Sequence, residues 1–119
     1  MSPDEFIRTV REEFINSLTD EYADSFNQTQ SDKCKDLSVK PMIELWHKSD
    51  KETKDILKMF IRLGAQNSIS SVLSSLDNIS GTFSEEFTLL INEKESINGD
   101  LLDTFWEQEE IDGFVNVKT

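Results

Sequence analysis

The feature that most constrains this chain is the stretch of residues 49–81, in which apolar side chains recur at helical rather than strand spacing. Ser49 followed three residues later by Glu52 is a capping box, each side chain satisfying a free backbone N–H of the first turn, so a helix is expected from Asp50. Ile56, Met59, Phe60 and Leu63 form one apolar stripe, which resumes at Ile69, Val72, Leu73 and Leu76. A second file, Leu57, Ile61, Ala65 and Ile69, stands on a neighbouring face. A helix apolar on more than one side is expected to be wrapped by the rest of its domain. The turn formers Asp77, Asn78, Ser80 and Gly81 end it.

Other elements are arranged around this helix. Ser2, Pro3 and Glu5 mark an earlier helix start, with a capping serine, proline at the first helical position and an acid three residues after the cap. Phe6, Ile7, Val10, Phe14, Ile15 and Leu18 make its apolar face, and Arg8, Arg11, Glu12 and Glu13 fall mostly off it. Tyr22 and Phe26 carry the four-residue step onward to about Asn27, with Thr19–Asp20 as the place for an interruption. Residues 28–40 read as a polar loop. Pro41 opens a short helix whose Met42, Leu45 and Trp46 are expected to face inward. Beyond the long helix, Phe87, Leu89 and Ile91 alternate with Glu86, Thr88 and Leu90 as a strand with one buried face. Residues 92–95 turn it back onto Ser96 and Ile97. Two strands alone are marginal in water, so this hairpin must pack on the long helix or gain strands elsewhere. Asp100 can cap a last helix carrying Leu101, Leu102, Phe105 and Trp106. Residues 111–117, with Gly113, Val115 and Val117, read as a third strand or an ordered tail. The expectation is a helix-dominated α+β fold: one domain over residues 1–119, with a long central helix, a small antiparallel hairpin near 83–97 and a short C-terminal helix.

Much chemistry is excluded by what is missing. One histidine and one cysteine cannot assemble the usual zinc sets, and Cys34 has no partner for a disulfide. Setting Gly81 at the turn of a calcium loop puts Leu76 and Asn78 where the first oxygen ligands belong. Phosphate-cradling glycine motifs and the nucleophile elbow are absent. His47, at the end of a short helix, reads as a cap or surface residue rather than a general base. Adjacent acids such as Glu85 and Glu86 lack surroundings that would separate their pKa values. Neither cofactor nor metal is expected. No run approaches the roughly 18 apolar residues of a membrane span, and the mixed-charge residues 1–11 do not read as a signal peptide, so a cytoplasmic protein without membrane contact is expected.

Charge supplies the positive indication. Twelve basic and twenty-four acidic residues leave a net charge of −12. Residues 1–81 contribute fourteen acids and ten bases, or −4, and residues 82–119 ten acids and two bases, or −8. Such a surface repels nucleic acid and speeds encounter with basic partners. Glu93, Glu95, Asp100, Asp103, Glu107, Glu109, Glu110 and Asp112 share one region with Phe105, Trp106 and Phe114. Acids around aromatic anchors suit protein binding, the former steering and the latter holding. Phe105 and Trp106 stand about 100° apart on a helix, so one can be core while Trp106 reaches a partner.

Leu76-Asp77-Asn78, Phe87-Thr88-Leu89 and the run from Gly99 through Asp100, Leu101, Leu102, Asp103 and Thr104 to Phe105 are similar to segments of a group of small bacterial α+β proteins. As a small acidic chain without a catalytic motif, the protein also resembles the immunity proteins that neutralise bacterial toxins, many of them basic nucleases. The resemblance implies one-to-one binding that covers or distorts a toxin's active site. Glu93, Glu95, Asp100, Asp103, Trp106, Glu107, Glu109, Glu110 and Asp112 are then the expected partner-binding residues. The alternatives are a small cofactor-independent enzyme using carboxylates, or an adaptor that self-associates through leftover apolar faces of the long helix. The protein is thus expected to be a monomer or a homodimer.

Overall fold

The computed structural model describes residues 1–114. Helices α1 (Pro3–Arg11) and α2 (Ser17–Gln28) are continuous through a π turn, Glu12–Asn16; α3 (Lys40–Lys48), α4 (Lys51–Leu76), strands β1 (Leu90–Ile91) and β2 (Glu95–Ser96), and α5 (Leu101–Ile111) follow. The fold is helix-dominated, with a small antiparallel sheet and a short C-terminal helix. Val115 and Val117 of the expected third strand lie outside the described residues. Ile111, expected to open that segment, instead ends α5.

The start of α1 forms as the sequence dictates: Ser2 accepts from Glu5 N–H at 3.1 Å and Glu5 accepts from Ser2 N–H at 3.3 Å. The interruption falls earlier than Thr19–Asp20. Ser17 N–H reaches back five residues to Glu12 O, the signature of a π turn. This has a structural effect. Residues four apart on an α-helix drift by roughly 40°, yet Ile7, Arg11, Ile15, Thr19 and Ala23 are all buried, because the wider turn restores the phase. Arg11, one α-helical turn after Ile7, points inward, and Phe14, within the π turn, points outward, the reverse of the expected face.

Capping of α4 is displaced by one residue from the expected box. Asp50 is the cap, accepting from Thr53 N–H at 2.8 Å, while Ser49 donates its hydroxyl to Leu45 O. In α3 the buried pair is Ile43 and Trp46, and Met42 and Leu45 are exposed. Trp46 donates to Asn27 Oδ1 at 2.6 Å and meets Phe26 edge-on, which ties α3 to α2.

The core lies around the C-terminal half of α4, where Ile7, Ile15, Leu73, Leu101 and Phe105 pack together. The N-terminal half is not wrapped: Ile56, Met59, Phe60 and Leu63 are all exposed. The molecule is correspondingly open, with a radius of gyration of 17.6 Å against about 13.5 Å for a compact chain of this length.

The hairpin is shorter than expected, and its hydrogen bonds explain why. Asn78 donates to Phe87 O at 3.0 Å and accepts from Phe87 N–H at 2.7 Å, so a side-chain amide stands where a neighbouring strand would. Asn98 likewise accepts from Leu89 N–H and donates to Leu76 O and Phe87 O. Asp77 accepts from Gly99 N–H and Leu102 N–H at 2.6 and 2.7 Å and so caps α5 from a distance, while Asp100 at the cap position makes no such bond. The end of α4, the 87–89 segment and the start of α5 thereby meet at one junction.

Candidate functional site

Four serines on one side of α4 give rise to a groove. Ser70 and Ser71 donate their hydroxyls to Asn67 O, and Ser75 to Ser71 O, so these side chains are satisfied within their own helix and fill little space beside Ser74. Facing them across a hollow of about 710 Å³ stand Leu102 and Trp106 from α5, with Phe83 and Phe87 at the mouth. Phe83 and Phe87 meet edge-on at 5.1 Å, as do Phe105 and Trp106. Phe105 is fully buried and Trp106 half-buried, the division of labour their 100° separation predicts.

Acids flank this groove. At 100° per residue, Asp103 and Glu110 stand roughly 60° and 40° from Trp106 around α5, and Glu107 about 100°; all three are exposed. Glu85 and Glu86 line a smaller neighbouring hollow that shares Ser75, Ser80 and Phe83 with the groove. Glu93, Glu95 and Asp100 are exposed at the hairpin and the head of α5, with Glu93 in a turn where both Asn92 and Glu93 have positive φ.

Glu109 is not part of that surface. It has no exposure at all, and its carboxylate accepts from Arg11 Nε and Arg62 Nη2 at 2.9 Å each and from Gln66 Nε2 at 2.8 Å. Burial is the largest single influence on its ionisation and opposes it, but hydrogen bonds from Arg62, Arg11 and Gln66, with the attraction of Arg62, outweigh burial and hold the carboxyl below its usual value. Asp112 is also engaged, accepting from Arg11 Nη2 at 2.6 Å. Arg62 lies 3.3 Å from the centre of the Phe114 ring. Glu109 is thus a structural ion that joins α1, α4 and α5. Acids were separated in sequence by charge alone, and nothing local distinguishes Glu109 from Glu110; only the four-residue repeat after Leu101 and Phe105, which puts 109 on the core face, carries that information.

Phe83, Phe87 and the serines were not expected in a site. Phe83 and Phe87, two aromatic residues four apart in a polar segment, are the one local sign of them. Among the described residues no group of three or more His, Cys, Asp or Glu side chains could hold a metal ion, and no helix is long and apolar enough to cross a membrane. No protein-family model matches the chain, and no curated protein and no solved structure matches it.

Proposed function

We propose that this protein is a binding module of the immunity type, a cytoplasmic inhibitor that sequesters a basic protein such as a toxin nuclease. The observation that carries this reading is the apolar α4–α5 groove, with exposed acids beside Trp106 on α5 and Glu85 and Glu86 in the adjoining hollow. An apolar side chain of the partner enters between Trp106 and Phe83, and lysine or arginine residues beside it meet Asp103, Glu107 and Glu110. Buried aromatic contact sets the lifetime of such a complex, and the acids raise the rate of encounter. Glu93, Glu95 and Asp100 extend the same negative field. Glu109 and Asp112 contribute indirectly, by fixing α5 against α1.

The enzymatic alternative needs a carboxyl kept protonated in a pocket. Glu109, the acid without exposure, is instead held ionised, which favours the binding reading.

The test is capture from native lysate at low and high salt, with wild type, Trp106→Ala and a Glu107→Lys/Glu110→Lys chain side by side. One basic protein retained by wild type, lost with Trp106→Ala and captured more slowly by the charge-reversed chain is the expected outcome. Equal capture by all three chains, or none by wild type, refutes this use of the groove.

A further inference from the structure

The groove leaves unused a second, broad apolar surface among the described residues. On the N-terminal half of α4, Met59 and Phe60 are each 67% exposed, Leu63 51% and Ile56 45%. The surface continues on both neighbours. Phe60 and Ile61 line one hollow with Met42 and Leu45 of α3, and another with Phe14 of the π turn and Tyr22 of α2. Side chains of this size carry on the order of 200 Å² each, so eight of them at roughly half exposure present about 800 Å². That is the share one partner contributes to a standard interface, and it exceeds the patch of about 300–600 Å² common on monomers.

We propose that this face binds a second copy of the chain, as a symmetric dimer built on two α4 helices. Three observations select that occupant. Beside the stripe Thr53, Gly64 and Asn67 are uncharged and Glu52 at its N-terminal end is an acid, and residues 48–63 carry five bases and three acids, so this is where copies of net charge −12 can meet without strong repulsion. The face is also self-complementary. Phe60 is a ridge between two hollows on the same patch, and an isologous interface requires the ridge and the receiving hollow on one surface. Finally, the space beside Gly64 is open, so a second helix can approach the α4 backbone closely there.

In the dimer the two α4 helices run antiparallel, with Met59 and Phe60 near the two-fold axis and Ile56 of one copy over Leu63 of the other. Both α4–α5 grooves remain free, so each dimer offers two acidic sites. This inference stands apart from the proposed partner.

Sedimentation equilibrium tests it. Wild type is expected at twice the chain mass of 13.7 kDa, and Phe60→Glu, at an exposed position, should weaken association about 30-fold or more with its helical circular dichroism unchanged. Glu107→Lys, in the other site, should leave the mass unaltered. As a second measurement, a Cys34→Ser/Met59→Cys chain should form a disulfide-linked dimer on mild oxidation. A wild type that stays at 13.7 kDa up to about 100 µM, a range in which a specific interface of this size is occupied, overturns the proposal. So does a folded Phe60→Glu chain that still dimerises, or a Met59→Cys chain that does not cross-link.

Discussion

The two halves of α4 have similar apolar patterns and opposite surroundings. From Ala65 to Leu76 the apolar side faces α1 and α5, and Leu73 is 3% exposed. Ten residues earlier, Leu63 has the same chemistry and helical setting and is 51% exposed. What separates the halves is the polar group at their boundary. Arg62 and Gln66 both bind Glu109, and that is where α5 is pinned to the long helix. Periodicity defines a face that must be covered; specific polar contacts decide which element covers it.

The sharpest way to break this contrast is to remove the pin. Glu109→Ala removes the buried carboxylate that Arg11 and Arg62 share, leaving Arg11 with Asp112 at the edge of the site, and should cost about 3–5 kcal/mol, read as a fall in the urea midpoint of unfolding. Next comes the matched leucine pair. Leu73→Ala should cost about 2–5 kcal/mol, whereas Leu63→Ala should alter the stability of the monomer by no more than about 0.5 kcal/mol. Equal losses would show that the N-terminal half is covered within one chain.

Acid titration sharpens the same contrast with a smaller effect. Because Glu109 has its carboxyl pKa lowered from 4.5 by folding, the unfolded chain takes up this proton first as pH falls. The stabilisation is therefore complete above that ordinary value and is lost progressively as pH drops below it, toward the folded-state pKa. Glu109→Gln should flatten this limb of a stability–pH profile, and Phe60→Ala should leave it unchanged. A small loss is expected at Lys54, whose ammonium sits 5.5 Å from the centre of the Trp46 ring. Lys54→Ala should cost about 0.5–1 kcal/mol in thermal unfolding, through the cluster of Tyr22, Phe26 and Trp46.

Local chemistry made much of the architecture legible. The capping box at Ser2, the long helix, the position of the hairpin and the short final helix were all readable because apolar periodicity and turn formers mark each within its own segment. The burial of Arg11 was not. Its partner is 98 positions away, and the burial of Ile15 and Thr19 in line with it depends on a π turn that no residue in Glu12–Asn16 announces. The shortness of the hairpin was hidden for a similar reason, since Asn78 and Asn98 look like turn formers until their amides are seen taking the place of a strand. Of the candidate site, Trp106 and most of the acids were legible from charge and aromatic content. Glu109 was misplaced, because charge counts do not distinguish an acid that steers a partner from one that holds two arginines.

The separation of Arg11 from Glu109 also sets an order of events during synthesis. A ribosome adds about 5–20 residues per second, so Arg11 is joined to the chain on the order of 5–20 seconds before its carboxylate partner exists. Throughout that interval Ile7 and Ile15 have neither Leu101 nor Phe105 to pack against. Until α5 has been made the nascent chain thus carries a bare apolar face, and closure of the core awaits that helix.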